Sequence, residues 1–365
     1  MHDLCFISLP FQPIKKTKTP LFFSTAIFGE YMANLFQSTY YLGINSLHSF
    51  KSYFKSYSED ECSDFEKKFD FISNKTIYYD RDYIYDFVEI VKQLYETNDI
   101  RIMNKATAVC ECGRAEISQS ELNRFDEDNI KMQLIENKNG ELKCRFCKKK
   151  LVFDNRENLY LCFKETELRQ SMGVYPSYLN SDFNHFRKSL INSQLRISRV
   201  QDTGISVVFD NQLFYLDIDF LWKFTPFFLH KQNVVVVASV KHTFSLFIIN
   251  YLAQIINRNN ICIIGLPFIE TDSVKEDTLQ FLSDEKHRRA LKLLVLLGIG
   301  WSKKNIMLQD STCKYFMSSR DKNDELYNFL SSINFDTNQW HEMCEIISSY
   351  TKLQNVLQFK KGKDI

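Results

Sequence analysis

Residues 233–266, NVVVVASVKHTFSLFIINYLAQIINRNNICIIGL, contain the sequence pattern that defines the fold class. Residues 234–240 form a nearly continuous β-branched run, which is typical of a strand buried on both faces of a parallel sheet. Residues 243–256 then have the length and composition of a helix, and residues 260–266 form a second buried strand. A strand, a helix and a strand in this order predict an α/β domain with a parallel sheet.

Other segments extend this alternation towards both ends of the chain. A helix is predicted over residues 28–42, ended by Gly43, and another over residues 83–96, whose apolar side chains recur at helical spacing. A further helix is predicted over residues 284–297. These lengths are consistent with an α/β architecture over most of the chain.

A hairpin is predicted from residues 205–209 and 212–218, joined across Asp210-Asn211. Asp217 and Asp219 are also expected to alternate on one strand, so that both carboxylates share a face. Such a pair suits a cationic ligand, although a solvated carboxylate is the simpler interpretation.

The composition is that of a folded protein with a large core. The chain has 365 residues, of which 44% are hydrophobic and 32 are Phe. Glycine is scarce, with 10 residues, which argues against a fold built around glycine-rich phosphate-binding loops. The chain has 46 Lys and Arg residues and 45 Asp and Glu residues. This balance predicts no overall positive potential that would attract nucleic acid.

No membrane association is expected, since no apolar run reaches the length of a membrane span. The N-terminus lacks an uninterrupted apolar core before Lys15-Lys16, so no secretion signal is predicted. The 10 cysteines are therefore expected to be reduced thiols or metal ligands in a cytoplasmic protein.

Four of these cysteines form two close pairs. Cys110-Glu111-Cys112 precedes Cys144-Arg145-Phe146-Cys147 in the sequence. Four thiolates presented in two tight turns suit the tetrahedral shell of a structural zinc ion. The alternative is a set of four unrelated buried thiols, and nearby Cys162 is expected in the core.

Five segments, taken in order, resemble the catalytic region of class I aminoacyl-tRNA synthetases, and most closely the methionyl type. Residues 83–100, YIYDFVEIVKQLYETNDI, resemble the helix before the family's zinc-bearing connective insert. LRISRVQDTGISV, residues 195–207, resembles ISR-x-x-x-WGIPV, and LFYLDIDFL, residues 213–221, resembles FYVWFDAP. Residues 233–256 are similar to the strand and helix with FIGKDI-x-x-FH. FMSSRDKN, residues 316–323, resembles the KMSKSRGN loop.

The resemblance implies a Rossmann-like α/β synthetase core with a parallel sheet and a zinc-binding connective insert. The implied divisions are residues 1–105 for the first half of the core, 106–153 for the insert, 154–335 for the remaining connective region and second half of the core, and 336–365 for a C-terminal helix and tail. The implied cofactor is structural zinc, and the implied ligands are ATP, an amino acid, and tRNA or another acceptor.

The resemblance also assigns roles to particular residues. The KMSKS-like loop implies catalytic roles, and the pocket segments imply substrate contacts near the carboxyl ends of the strands. For Arg199, Asp219 and His242 the alternatives are a structural salt bridge, a strand-end cap and a structural helix-start histidine. The implied catalytic residues are Lys314, Ser318, Ser319 and Arg320, and the implied substrate-binding residues are Ser24, Thr25, Arg199, Asp219 and His242.

The family's His-x-Gly-His motif has no counterpart, since no histidine lies between His2 and His48. Amino-acid activation depends on positive charge placed where negative charge develops, so efficient adenylation is not expected unless Lys314, Arg320 and Lys322 substitute. Two functions therefore remain open. One is an aminoacyl-adenylate-forming ligase with impaired activity. The other is an inactive synthetase-derived protein that binds a ligand, RNA or another protein.

Overall fold

A computed structural model describes most of the first 296 residues and short segments beyond them. All statements below concern these residues. Within them, no helix is long and apolar enough to cross a lipid bilayer. The described residues are 4–11, 13, 23–51, 53–112, 115–118, 135–138, 141–168, 173–200, 204–229, 231–256, 260–270, 284–293, 295–296, 305–307, 342, 344–347 and 349.

The strands fall into one large parallel sheet and several smaller units. Apolar and β-branched residues dominate the strands of the large sheet, as expected for strands that are covered on both faces. In chain order the strands are β1 (Leu4–Ser8), β2 (Thr39–Ile44), β3 (Leu47–Lys51), β4 (Tyr53–Ser56), β5 (Thr76–Tyr79), β6 (Ile100–Val109), β7 (Glu116–Ser118), β8 (Ile135–Lys138), β9 (Glu141–Cys144), β10 (Val152–Cys162), β11 (Val174–Tyr175), β12 (Gln194–Arg196), β13 (Ser198–Arg199), β14 (Ile205–Phe209), β15 (Gln212–Leu216), β16 (Asn233–Ser239), β17 (Asn260–Leu266), β18 (Phe268–Glu270) and β19 (Asn305–Met307).

The helices connect these strands. Short 3₁₀ segments at Lys67–Phe69, Asp80–Tyr83 and Val240–His242 lead out of or into them. The predicted elements at residues 234–240, 243–256 and 260–266 are confirmed by β16, a helix and β17. The α-helices are α1 (Ser24–Leu35), α2 (Glu59–Glu66), α3 (Ile84–Glu96), α4 (Glu165–Leu168), α5 (Tyr178–Leu190), α6 (Ile218–Phe228), α7 (Thr243–Ile256) and α8 (Glu285–Leu293).

The central sheet has six parallel strands in the order β11-β17-β16-β1-β2-β5. Its side chains alternate between two cores. Val234 and Val236 of β16 pack in the core that contains α3, α5, α6 and α7. Val235 and Val237 point to the opposite core, formed by α1 and α8. Because successive side chains of a strand face opposite ways, this run of valines is buried on both sides, as the sequence predicted.

The strand order reverses direction between β1 and β16. From β1 the chain builds outward to β2 and β5, whereas β16 and β17 lie on the other side of β1. Open α/β sheets bind ligands outside the carboxyl ends of the strands at such a reversal. In this chain the place is defined by Ser8, which ends β1, and Ser239, which ends β16.

The first predicted helix is wrong in its boundaries. It begins at Ser24 and ends at Leu35, and the residues that follow form β2, which contains Gly43. The helix ends because Gln37 adopts φ 49°, while the Ser38 N–H donates to the Ala33 carbonyl at 2.9 Å. This termination is usually made by glycine, so glutamine gave no signal. Gly43 instead allows the Tyr78 side chain to lie close to the backbone of β2, since a Cβ at position 43 would lie 2.3 Å from the Tyr78 hydroxyl.

The predicted hairpin is present, but its second strand is shorter than expected. The turn residues Asp210 and Asn211 have φ 48° and 63°, the left-handed values of a tight hairpin turn. β15 ends at Leu216, and α6 begins two residues later. The expectation that Asp217 and Asp219 alternate on one strand is therefore wrong. Asp217 caps the helix and Asp219 lies in its first turn.

The two cysteine pairs lie beyond one end of a long antiparallel ribbon. β6 and β10 pair from Ile100 with Leu161 to Val109 with Val152. Cys110 directly follows β6, and Cys144 ends β9, which pairs with β8. The cysteines and nearby apolar side chains form a small core separate from the two cores of the sheet. The division of the chain that assigns residues 106–153 to a separate insert remains a prediction.

Candidate metal centre and ligand cleft

The four predicted metal ligands converge in the structure. All four Sγ atoms lie within 4.8 Å of one another. Cys110 Sγ lies 3.3 Å from Cys112 Sγ and 3.2 Å from Cys147 Sγ, and Cys112 Sγ lies 3.6 Å from Cys144 Sγ. Tetrahedral Zn–S bonds of about 2.3 Å place sulfur atoms about 3.8 Å apart. The donor set and its spacing therefore fit zinc.

Local backbone geometry explains how the cysteines are held. The Cys110 N–H donates to the Ala115 carbonyl, and the Lys148 N–H donates to the Cys144 carbonyl, each at 2.9 Å. Lys148 has φ 61°, which closes the second turn. Backbone N–H groups also point at sulfur. The Lys149 N–H lowers the pKa of Cys147 to about 7, whereas desolvation by burial raises the pKa of Cys110 and Cys144. N–H donors directed at sulfur suit thiolates bound to a cation.

At the other candidate site, α6 packs against the carboxyl edge of the central sheet. The Tyr78 hydroxyl donates to the Ser8 carbonyl at the end of β1, at 3.0 Å. The same hydroxyl lies 3.5 Å from Oγ1 of Thr225, which belongs to α6. Tyr78 thus joins β5, the end of β1 and α6 at the reversal of strand order.

The beginning of α6 concentrates charged groups near this edge. An Asp217 carboxylate oxygen accepts from the Asp219 N–H at 3.1 Å, which caps the helix. The Lys223 ammonium donates to the Asp219 carbonyl one turn earlier. Lys223 is nevertheless buried, with its Nζ 4.1 Å from the centroid of the Trp222 ring and 4.7 Å from that of Phe220. Cation–π contact with two rings stabilises the buried charge.

His242 faces this group from the neighbouring segment. Its ring lies edge-on to Trp222, with 6.1 Å between ring centroids. Desolvation by surrounding protein, with the ammonium groups of Lys223 and Lys241, lowers the pKa of His242 to about 4. The residue as a whole is exposed to solvent. Near pH 7 the carboxyl edge therefore presents a neutral imidazole near two cations.

Ser24 and Thr25 are the first two residues of α1, and both are partly buried. α1 connects the parallel strands β1 and β2. A helix that connects parallel strands runs antiparallel to them, so its N-terminus faces the carboxyl edge of the sheet. Their contact with the Asp219 and His242 cluster remains a prediction.

Arg199 makes the structural salt bridge that was one interpretation of its role. Its Nε lies 3.4 Å from Oε1 of Glu116, and Arg196 Nη1 lies 3.3 Å from the same oxygen. The side chains of Arg196 and Glu116 are 0% and 3% exposed. The pattern of residue types did not indicate Glu116, because its partners lie about eighty residues away. The sequence feature that could have indicated Glu116 is its position four residues after Cys112.

Lys314, Ser318, Ser319 and Arg320 lie outside the described residues, as does Lys322, so their roles remain predictions. The Lys148-Lys149-Lys150 cluster is described, and surface ion pairs join it to acidic residues of the insert. These pairs have N–O distances of 2.7 Å to Glu136, 2.6 Å to Glu111 and 3.5 Å to Glu141. The surface there is charge-balanced, as expected of a solvated face.

The sequence matches no protein-family model, and no curated protein matches it. Solved structures of Mycobacterium tuberculosis methionyl-tRNA synthetase are similar in fold. A complex with methionyl-adenylate gives a TM-score of 0.60 at 9% identity, covering 88% of this chain and 69% of that one. A second methionyl-adenylate complex gives 0.59 at 8% identity, with 87% and 68% covered. The apo form gives 0.54 at 10% identity, with 86% and 65% covered.

Identities this low establish the fold alone. The chain has a class I synthetase-like α/β fold, with a parallel sheet of six strands. It also carries a four-cysteine cluster that could hold a metal ion. These two features confirm the predicted fold class at the level of the synthetase-like core.

Proposed function

We propose that this protein binds an amino acid together with ATP in the cleft between α1, α6 and α7, and that it forms an aminoacyl-adenylate slowly. In that reaction the amino-acid carboxylate attacks the α-phosphorus of ATP, an O–P bond forms, and pyrophosphate leaves. No covalent enzyme intermediate is required. The protein needs to align the two substrates and stabilise the charge that develops on phosphate.

The observation that carries the proposal is the group formed by Trp222, Lys223 and His242 at the carboxyl edge. Lys223 and Lys241 provide positive potential for a carboxylate or a phosphate, and the neutral imidazole of His242 can donate or accept a hydrogen bond. Asp219, in the first turn of α6, is the proposed partner of the ligand's ammonium group or ribose hydroxyls. Two solved structures of one protein of similar fold contain methionyl-adenylate.

The proposed rate is low because the chain lacks the histidines of the His-x-Gly-His motif. Removal of one donor that stabilises developing charge typically costs about 10² to 10³ in rate. Lys314, Arg320 and Lys322 are the proposed sources of compensating charge. The cysteine cluster is proposed to hold structural zinc, which organises the insert and takes no part in the transfer.

The decisive experiment measures binding and turnover separately. Calorimetry with the non-hydrolysable methionyl sulfamoyl-adenosine, followed by analogues of other amino acids, is expected to show binding to the full chain. Asp219→Ala and His242→Ala should each weaken binding at least tenfold. The matched controls, Asp154→Ala on the ribbon and His185→Ala on α5, alter exposed residues elsewhere and should bind like the wild type.

ATP–pyrophosphate exchange across the amino acids then tests activation. We expect exchange well below the rates of about 1 to 10³ s⁻¹ that are ordinary for enzymes. Binding without any exchange would favour the non-catalytic alternative, a synthetase-derived binding protein. Failure of the whole set of analogues to bind would overturn the proposal.

A further inference from the structure

Glu116 joins the metal centre to the rest of the protein. It follows Cys112 by four residues in the sequence, and its neighbour Ala115 accepts the hydrogen bond from the Cys110 N–H at 2.9 Å. Glu116 begins β7, which pairs with the end of β6, and it is only 4% exposed. A change in the fold of the first cysteine turn would therefore act directly on this carboxylate.

The carboxylate of Glu116 binds three groups of one distant segment. Its Oε1 lies 3.3 Å from Arg196 Nη1 and 3.4 Å from Arg199 Nε. Its Oε2 accepts from the Val200 N–H at 3.0 Å. One buried side chain of the cysteine-bearing segment thus contacts two arginine side chains and one backbone N–H group of residues 196–200.

The same segment is bonded to the beginning of α6. Ser198 and Arg199 pair with Leu216 and Tyr215 of β15. The Asp217 N–H donates to the Ile197 carbonyl at 2.8 Å. Asp217 is the residue that caps α6, next to Asp219. Hydrogen bonds and ion pairs therefore connect the first cysteine turn to the N-terminus of α6, which carries Asp219 of the proposed ligand site.

We propose that Glu116 is a positioning residue through which metal binding by the cysteines sets the position of the α6 N-terminus and the affinity of the cleft. The ligand part of this inference rests on the proposed function. Its physical basis is that the buried guanidinium of Arg196 and the mostly buried guanidinium of Arg199 are costly to leave without their carboxylate. When the cysteine turns lose the metal and loosen, Glu116 moves, residues 196–200 rearrange, and the cap of α6 moves with them.

Hydrogen–deuterium exchange of the full chain, with and without zinc, tests the coupling independently of any ligand. In the wild type, chelation should increase exchange at residues 106–151 and also at residues 212–228. Zinc-loaded Glu116→Gln, which keeps the shape of the side chain, should already show the faster exchange at residues 212–228, and chelation should then add little there. Glu141→Gln alters a partly exposed, ion-paired carboxylate of the same insert; it is the control and should behave like the wild type.

Zinc content and calorimetry with methionyl sulfamoyl-adenosine complete the test. Glu116→Gln is expected to keep one zinc per chain and to bind the analogue at least tenfold more weakly, and Arg199→Lys should reproduce the exchange change. Wild-type exchange that changes only at residues 106–151 on chelation would overturn the coupling, as would loss of zinc from Glu116→Gln. If the wild type fails to bind any analogue, the proposed function fails, while the exchange data still decide the coupling.

Discussion

At the scale of single residues, the four cysteines differ from the other described thiols because only they converge on a common centre. We expect one zinc ion per purified chain, measured by elemental mass spectrometry. Cys144→Ser/Cys147→Ser should lose it, since two of four donors are removed. Cys162→Ser changes a nearby thiol outside the cluster and should retain the metal. Full zinc retention in the double variant would refute the assignment.

Asp80 is a buried carboxylate at the end of β5 whose titration should affect stability. It accepts hydrogen bonds from the Ser46 N–H at 2.7 Å and the Ser46 hydroxyl at 2.5 Å. Desolvation exceeds the effect of these bonds and raises the pKa of Asp80 from 3.8 to about 6. Between these values the folded protein binds more protons at this site than the unfolded chain. The contribution of Asp80 therefore favours folding at low pH and is lost as pH rises to about 6.

Asp80→Asn should abolish this pH dependence. The difference in unfolding free energy between wild type and variant should change by about 2 kcal/mol between pH 4 and pH 7, with the wild type losing stability relative to the variant as pH rises. Urea unfolding at several pH values measures it. His242, whose pKa is lowered to about 4, acts in the opposite direction and is common to both proteins. A pH-independent difference would contradict the prediction.

At the scale of elements, the cap of α6 is a specific point of stability. Asp217 is 2% exposed and accepts from the Asp219 N–H. Asp217→Ala should cost about 1 kcal/mol in unfolding free energy, the usual value for a lost cap, whereas Asp217→Asn should restore most of it. Thermal unfolding of the three proteins provides the comparison, and equal destabilisation by both substitutions would show that the cap is not the cause.

The hairpin turn tests a second local requirement. Asn211 has φ 63° and an exposed side chain. Asn211→Ala should destabilise the protein by about 1 kcal/mol, because a Cβ without a compensating polar group strains this conformation. Asn211→Gly should be nearly neutral, since glycine adopts positive φ without a steric cost. If alanine and glycine have the same effect in urea unfolding, the turn does not impose this conformation.

At the scale of the whole molecule, the cysteine core and the sheet cores are separate clusters. Zinc removal should therefore leave β1, β16 and β17 protected while residues 106–153 exchange much faster. The free energy of metal binding supports folding only where the ligands organise the chain. Hydrogen exchange resolved along the sequence measures the difference. Equal loosening of the central sheet would show that the metal stabilises the entire fold.

The sequence by itself determined the features that depend on local pattern. The apolar runs at residues 234–240 and 260–266 specify buried strands because both faces of each must leave water. The spacing within each cysteine pair specified two neighbouring thiols, since each pair needs only a tight turn, and two such pairs predicted a shared metal ion. Asp210-Asn211 specified the hairpin turn, because these residue types tolerate positive φ.

Only the tertiary structure decided which distant groups meet. The contact of Trp222 with His242 and the burial of Lys223 depend on how α6 packs beside α7. The ion pairs of Glu116 join strands about eighty residues apart, and no residue pattern indicates such a pairing. α1 ends at Leu35 because Gln37 adopts a left-handed conformation, and glutamine is not a residue type that usually signals such a stop. These features depend on how distant elements pack together and on local backbone conformation, neither of which can be predicted from the pattern of residue types.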